Sequence, residues 1–166
     1  DLFETSEKEA FGSGNAYRLR MMSLLGVKYI LETKKGLDKD HKTQDDRFPP
    51  DEFELFYEDD TWRIWEYKNV LPRAFFVPRV VRVSDDKVLI ETLYDEKIDL
   101  RRVIYIKSTS NADNEQFENA DTVSMQGDVE IVKYDPEHVI LSVNTNQKGA
   151  VFLSDTYYPG WYATVD

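Results

Sequence analysis

The hydrophobic pattern begins with a helix. Ala16, Leu19, Met22 and Leu25 recur at helical spacing behind Asn15, a suitable N-cap, and Gly26 stands where a helix stops. The spacing predicts a helix over 15–25. Val27, Tyr29 and Leu31 then alternate with Lys28, Ile30 and Glu32, the period of a strand. Residues 33–52 are a mixed-charge run ending in Pro49-Pro50, expected to be a mobile loop or an insertion. Phe53 to Tyr57 and Thr61 to Tyr67 form two arms of a hairpin across Glu58-Asp59-Asp60. Trp62 and Ile64 share one face of its second arm, and Arg63, Trp65 and Tyr67 share the other.

Arg73 to Val83 is extended, with Pro78 inside it, which suggests a sheet edge or a bulge. Ser84-Asp85-Asp86 then starts a helix over about 85–94, with Ser84 as the cap residue and the two acids at the positive end of the helix dipole. Val103 to Lys107 reads as a buried strand, and Ser108 to Asp121 as polar loop. Val129 to Tyr134 and Val139 to Val143 pair as a hairpin through the turn Asp135-Pro136-Glu137-His138. The last stretch, Gly149 to Asp166, reads as a strand, a Pro159-Gly160 turn and a returning strand, with aromatics gathered at the bend. Short strands separated by turns imply antiparallel pairing. The expected fold is α+β and mainly β: a single antiparallel β-sandwich-like domain with two short helices.

Composition narrows the function classes. The 166 residues carry a net charge of −11, and the basic residues are scattered. Nucleic-acid partners need a concentrated basic face, so none is expected. The absence of cysteine removes disulfides, thiolate metal sites and cysteine nucleophiles together. No window approaches the roughly 18 apolar residues that a membrane span needs, and the acidic N-terminal stretch is no signal peptide. The polypeptide itself is expected to be soluble.

Candidate chemistry is sparse. His41 and His138 lack ligand spacing, and no cofactor is implied. Asp45-Asp46, Asp59-Asp60 and Asp85-Asp86 are paired acids of the kind glycoside hydrolysis uses, but turns and helix starts explain them. Gly12 and Gly14 lack the third glycine of a dinucleotide fingerprint. Asn111 to Glu115 begins like a calcium loop, but Gln116 and Thr122 replace the required glycine and glutamate. Ser154-Asp155 has no histidine nearby and no nucleophile elbow. No catalytic residue is assigned.

The aromatics carry the open question. Tyr157, Tyr158, Trp161 and Tyr162 either plug the core, the preferred reading, or form a platform that stacks on sugar rings. Trp62 and Trp65 lie on opposite faces of one strand, so at most one belongs fully to the core. The candidate ligand set is Tyr157, Tyr158, Trp161 and Trp65.

Three stretches together resemble one family. They are Leu24-Leu25-Gly26-Val27-Lys28-Tyr29-Ile30-Leu31, Tyr67-Lys68-Asn69-Val70-Leu71-Pro72-Arg73-Ala74-Phe75 and Leu153-Ser154-Asp155-Thr156-Tyr157-Tyr158-Pro159-Gly160-Trp161. Their order and spacing are similar to the C-terminal extracytoplasmic region of the YfhO family of bacterial polytopic membrane proteins. That resemblance implies an outward-facing domain at the bacterial cell membrane. The parent protein would be related to glycosyltransferases that use lipid-linked sugar donors, with its chemistry in the membrane portion. The implied partners are the transmembrane portion of the same protein and a glycan or lipid-linked sugar. The family pattern continues past the valine-aspartate pair with a glycine and further strands, so a fragment is expected here. An unpaired edge over Tyr162 to Asp166 would then favour an edge-strand dimer. The competing expectation is a purely structural domain that packs on its membrane portion or a partner and binds no sugar.

Overall fold

The computed structural model describes residues 16–34, 47–108 and 127–166, and these contain two helices and nine strands. Asn15, His41, Asp45-Asp46, Gly12, Gly14 and the Asn111–Glu115 loop lie outside the described residues. Helix α1 (Ala16–Leu24) stops as its sequence predicts. Gly26 adopts φ +66°, its amide donates to Ser23 O and the Val27 amide donates to Met22 O. That pair of bonds is a Schellman closure, and only glycine takes the left-handed position without strain.

Strands β1 (Tyr29–Thr33), β2 (Phe53–Glu58) and β3 (Trp62–Tyr67) form an antiparallel sheet with β3 in the centre. The hairpin turn between β2 and β3 is held by Asp59, whose Oδ1 accepts from the amides of Thr61 and Trp62, each at 2.7 Å. Those two amides, with the Tyr57 hydroxyl, hold the Asp59 carboxyl below its usual range. This acidic doublet is a turn device. The inner face of the sheet packs Phe53, Trp65 and Tyr67 with Met22 from α1 and with Phe48. Phe48 lies in the stretch read as loop, yet it is buried and stacks on Trp65 at 4.6 Å with an 11° interplanar angle. The apolar side chain, flanked by Pro49, is drawn inward because the core lacks a ring there.

Pro78 divides the next extended run into β4 (Ala74–Val77) and β5 (Arg79–Val83), which belong to different sheets. Proline has no amide to give a ladder, so the chain changes partners there. β5 pairs with β6 (Val103–Lys107) in parallel, joined by helix α2 (Asp86–Tyr94). This departs from the expectation of antiparallel pairing throughout. A parallel neighbour needs a crossover, and α2 supplies it. Asp85 caps α2 by accepting from the Lys87 amide at 2.8 Å, so this doublet too is structural. β7 (Gly127–Asp135) and β8 (His138–Thr145) form the predicted hairpin, with a bulge between Ile131 and Lys133. β9 (Ala150–Leu153) pairs with β4, and β4 packs against β7. No strand forms over 161–166, so the expected returning strand and its open edge are absent. Among the described residues no helix is long and apolar enough to cross a membrane.

Candidate functional site

The site is built at the end of β9, where the three stretches of the resemblance meet. Among the described residues, Ser154 is the one buried polar residue. Its hydroxyl donates to Leu24 O at 2.7 Å, and its amide donates to Arg73 O at 2.7 Å. The last carbonyls of a helix have no partner within it, so this hydroxyl satisfies one of them. Gly26 lies beside it: a Cβ added there would stand 3.5 Å from Ser154 Oγ. The serine joins α1, the start of β4 and β9, and its hydroxyl is engaged in that work.

Asp155 points the other way, to the surface. Its Oδ2 accepts from the Tyr134 hydroxyl at 2.5 Å, and Oδ1 accepts from the Thr156 amide at 2.9 Å. Arg73 donates through Nη2 to the Tyr134 hydroxyl at 2.5 Å and lies 3.7 Å from Asp155 Oδ2. Its guanidinium also sits over the Tyr134 ring, 5.2 Å from the centroid. The Tyr134 hydrogen bond, then the Thr156 amide and the Arg73 charge, hold the Asp155 carboxyl below the usual aspartate range. Arg73, Tyr134 and Asp155 thus form a surface triad from β7 and both flanks of the β4–β9 pair. Sequence reasoning missed it, because Tyr134 is 61 residues from Arg73 and carries no local motif. Arg73 and Asp155 do both stand in stretches of the resemblance.

The aromatic bend begins directly after the triad. The Trp161 amide donates to Tyr158 O at 3.1 Å and Gly160 has φ +107°. Proline then glycine at the two central positions are the chemistry of a type II turn. Tyr157 is 76 % exposed, Tyr158 70 % and Trp161 37 %, while Tyr162 is more exposed still. These rings are not the plug of a core. The turn carries them outward, and no returning strand folds them back.

Trp65 does not join them. It is 4 % exposed, stacked on Phe48, and its Nε1 donates to Glu32 Oε2 at 3.2 Å. Glu32 is bridged in turn to Arg47 at 2.7 Å. Placing Trp65 on a ligand platform is therefore a correction to make: it faces inward by strand parity, and Trp62 takes the outward position. The candidate surface is Tyr157, Tyr158 and Trp161 beside Asp155.

A cleft of about 670 Å³ lies elsewhere, between α1, the end of β3 and the loop after α2. Arg20 crosses it, donating to Leu93 O at 2.8 Å and Ile98 O at 2.7 Å. Burial pushes the Arg20 guanidinium below its usual value, against the opposing pull of Asp95, Asp99 and Glu96. Two of the acids along the cleft serve the fold. Glu52 accepts from Asn69 at 2.7 Å, and Asp99 from the Arg101 amide at 2.9 Å. None of the four bend aromatics lines the cleft. Among the described residues no cluster of three histidine, cysteine or acidic side chains is placed to hold a metal. Comparison with protein families, with curated proteins and with solved structures gives no match for this chain.

Proposed function

We propose that this chain is an accessory glycan-recognition domain, the outward-facing part of a membrane protein related to glycosyltransferases of the YfhO kind. One observation carries the recognition half: three aromatic rings are open to solvent in a single turn next to an ionised, oriented carboxylate. A sugar ring offers apolar C–H faces that stack on aromatic rings, and hydroxyls that donate to a carboxylate. The lone pairs of Asp155 not taken by Tyr134 and Thr156 are the acceptors, and Arg73 opposite them is a donor for sugar oxygens. The net charge of −11 disfavours polyanionic glycans, so the ligand class is neutral oligosaccharide. The resemblance of the three stretches supplies the membrane context.

Binding of neutral oligosaccharides from glucan, chitin and galactan sources, followed by NMR shifts of the tyrosine and tryptophan rings, tests the recognition half. Shifts confined to Tyr157, Tyr158 and Trp161, lost in Trp161→Ala and Asp155→Asn with the fold intact, are the expected result. No shift with any sugar, or shifts that survive both substitutions, overturns it. The competing reading, a domain that packs on its membrane portion or a partner and binds no sugar, is favoured by the open apolar face of the three-stranded sheet.

A further inference from the structure

Strand register divides the three-stranded sheet into two unlike faces. The inner face holds Phe53, Trp65 and Tyr67, then a charged end where Glu58 and Glu32 meet Arg63. The outer face follows from the pairs Leu31↔Ile64, Thr33↔Trp62 and Tyr57↔Ile64. It presents Tyr29, Leu31, Phe56, Tyr57, Ile64 and Trp62. The Tyr29 and Phe56 rings meet across the sheet at 5.1 Å. An antiparallel sheet with one solvated face ordinarily alternates apolar-in with polar-out. Here the solvent side is the more aromatic one, and the bulge between Leu55 and Tyr57 puts two successive rings on it.

We propose that this outer face packs against the same face of a second copy of the chain. Tyr29, Leu31, Phe56, Tyr57 and Trp62 are each 40 to 64 % exposed. At about 150–250 Å² per large side chain, they offer on the order of 500 Å² of contiguous apolar surface per copy. Two such faces bury about 1,000 Å² in all, below the roughly 1,200–2,000 Å² of a stable complex and in the range of a weak, reversible one. The face is a pleated three-stranded sheet and the cleft lies elsewhere, so it suits another sheet stacked at about 10 Å rather than a small ligand. Its charges are Glu54, Glu66 and the Asp59 carboxylate that accepts from the Tyr57 hydroxyl at 3.1 Å, against Lys28, bridged to Glu66 at 3.1 Å. This acidic rim opposes an anionic partner and, between two copies, adds a repulsion that salt screens. A two-fold axis lying between the two faces sets each patch against the same patch of the other copy, an isologous contact. The charge of −11 on each copy opposes the contact over longer range, so association strengthens as salt rises. The aromatic bend takes no part in it.

Sedimentation equilibrium of the full chain, from about 1 to 300 μM and at about 50 mM and 500 mM salt, tests the proposal. The expected result is a monomer–dimer equilibrium that shifts toward dimer at the higher salt. Leu31→Asp and Phe56→Asp, both at already exposed positions, weaken it at least tenfold with unchanged thermal midpoints. A chain that stays monomeric throughout overturns the proposal, as does a dimer that both substitutions leave intact. Flotation of a monomeric chain with lipid vesicles, abolished by Leu31→Asp, would replace the second copy with a membrane surface and equally overturn it.

Discussion

Two aromatic surfaces lie open on this protein, and they are held very differently. The outer face of the β1–β3–β2 sheet fixes its rings on paired backbone, with neighbours set by register. The bend at Tyr157–Trp161 hangs its rings on a turn closed by one backbone bond, with no strand formed over 161–166. A ladder-held face is fixed and broad, which suits another macromolecular surface. A turn presents few rings with free edges beside a carboxylate, which suits a small ligand of alternating apolar and hydroxyl character. Aromatic content alone does not distinguish these uses; the scaffold under the rings does.

The comparison breaks most visibly at β3, where one strand serves both sides. Trp65→Ala removes a stacked core ring and leaves Glu32 without its indole donor, and is expected to cost about 3–5 kcal/mol in urea unfolding. Trp62→Ala, three residues away on the half-exposed outer face, should cost less, about 1–2 kcal/mol, and act on association as well. Equal losses at the two positions would mean that the faces are not distinct.

Ser154→Ala comes next, at about 1–2 kcal/mol, because it leaves the half-buried Leu24 carbonyl without its donor. Faster amide exchange at the end of α1 should accompany it, while sugar-induced shifts at the bend persist. Gly160→Ala is expected to cost about 1–2 kcal/mol by straining a left-handed position. It should disturb ligand shifts at Tyr158 and Trp161 and leave sedimentation unchanged. An effect on association would join the two surfaces that we hold to be separate.

The smallest effect concerns acid. The Asp155 carboxyl is depressed in the folded state, so its stabilisation is complete above the ordinary aspartate value of about 4 and is lost as pH falls through the lower folded value. Asp155→Asn should therefore flatten part of the acid limb below about pH 4 in urea titrations stepped by pH. Glu58 and Asp59, also depressed, keep the remainder of the slope. An acid limb identical to that of the unaltered chain would show that the triad contributes nothing to folding.

Much of the fold was legible locally because its signals are local. The helix end at Gly26, the Asp59 turn and the β7–β8 hairpin each rest on residues within a few positions, and each formed where the pattern placed it, while the α2 cap fell at Asp85, one residue past the expected Ser84. The opposition of Trp62 and Trp65 was likewise legible from strand parity. What stayed hidden depends on partners far along the chain. Phe48 looked like loop because nothing near it shows the gap beside Trp65 that it fills. The parallel β5–β6 pair is invisible in either strand alone. The bend looked like a core plug because large rings ordinarily gain most by burial.

By itself, then, the sequence determined the mainly β α+β class, most element boundaries, and which side chains of each strand share a face. Tertiary structure alone decided which face meets the core, that Ser154 caps a helix 130 residues away, and that Arg73, Tyr134 and Asp155 converge. Periodicity assigns side chains to faces but is silent on which face a distant segment will cover. That choice falls to the packing that excludes most water once all the segments are present.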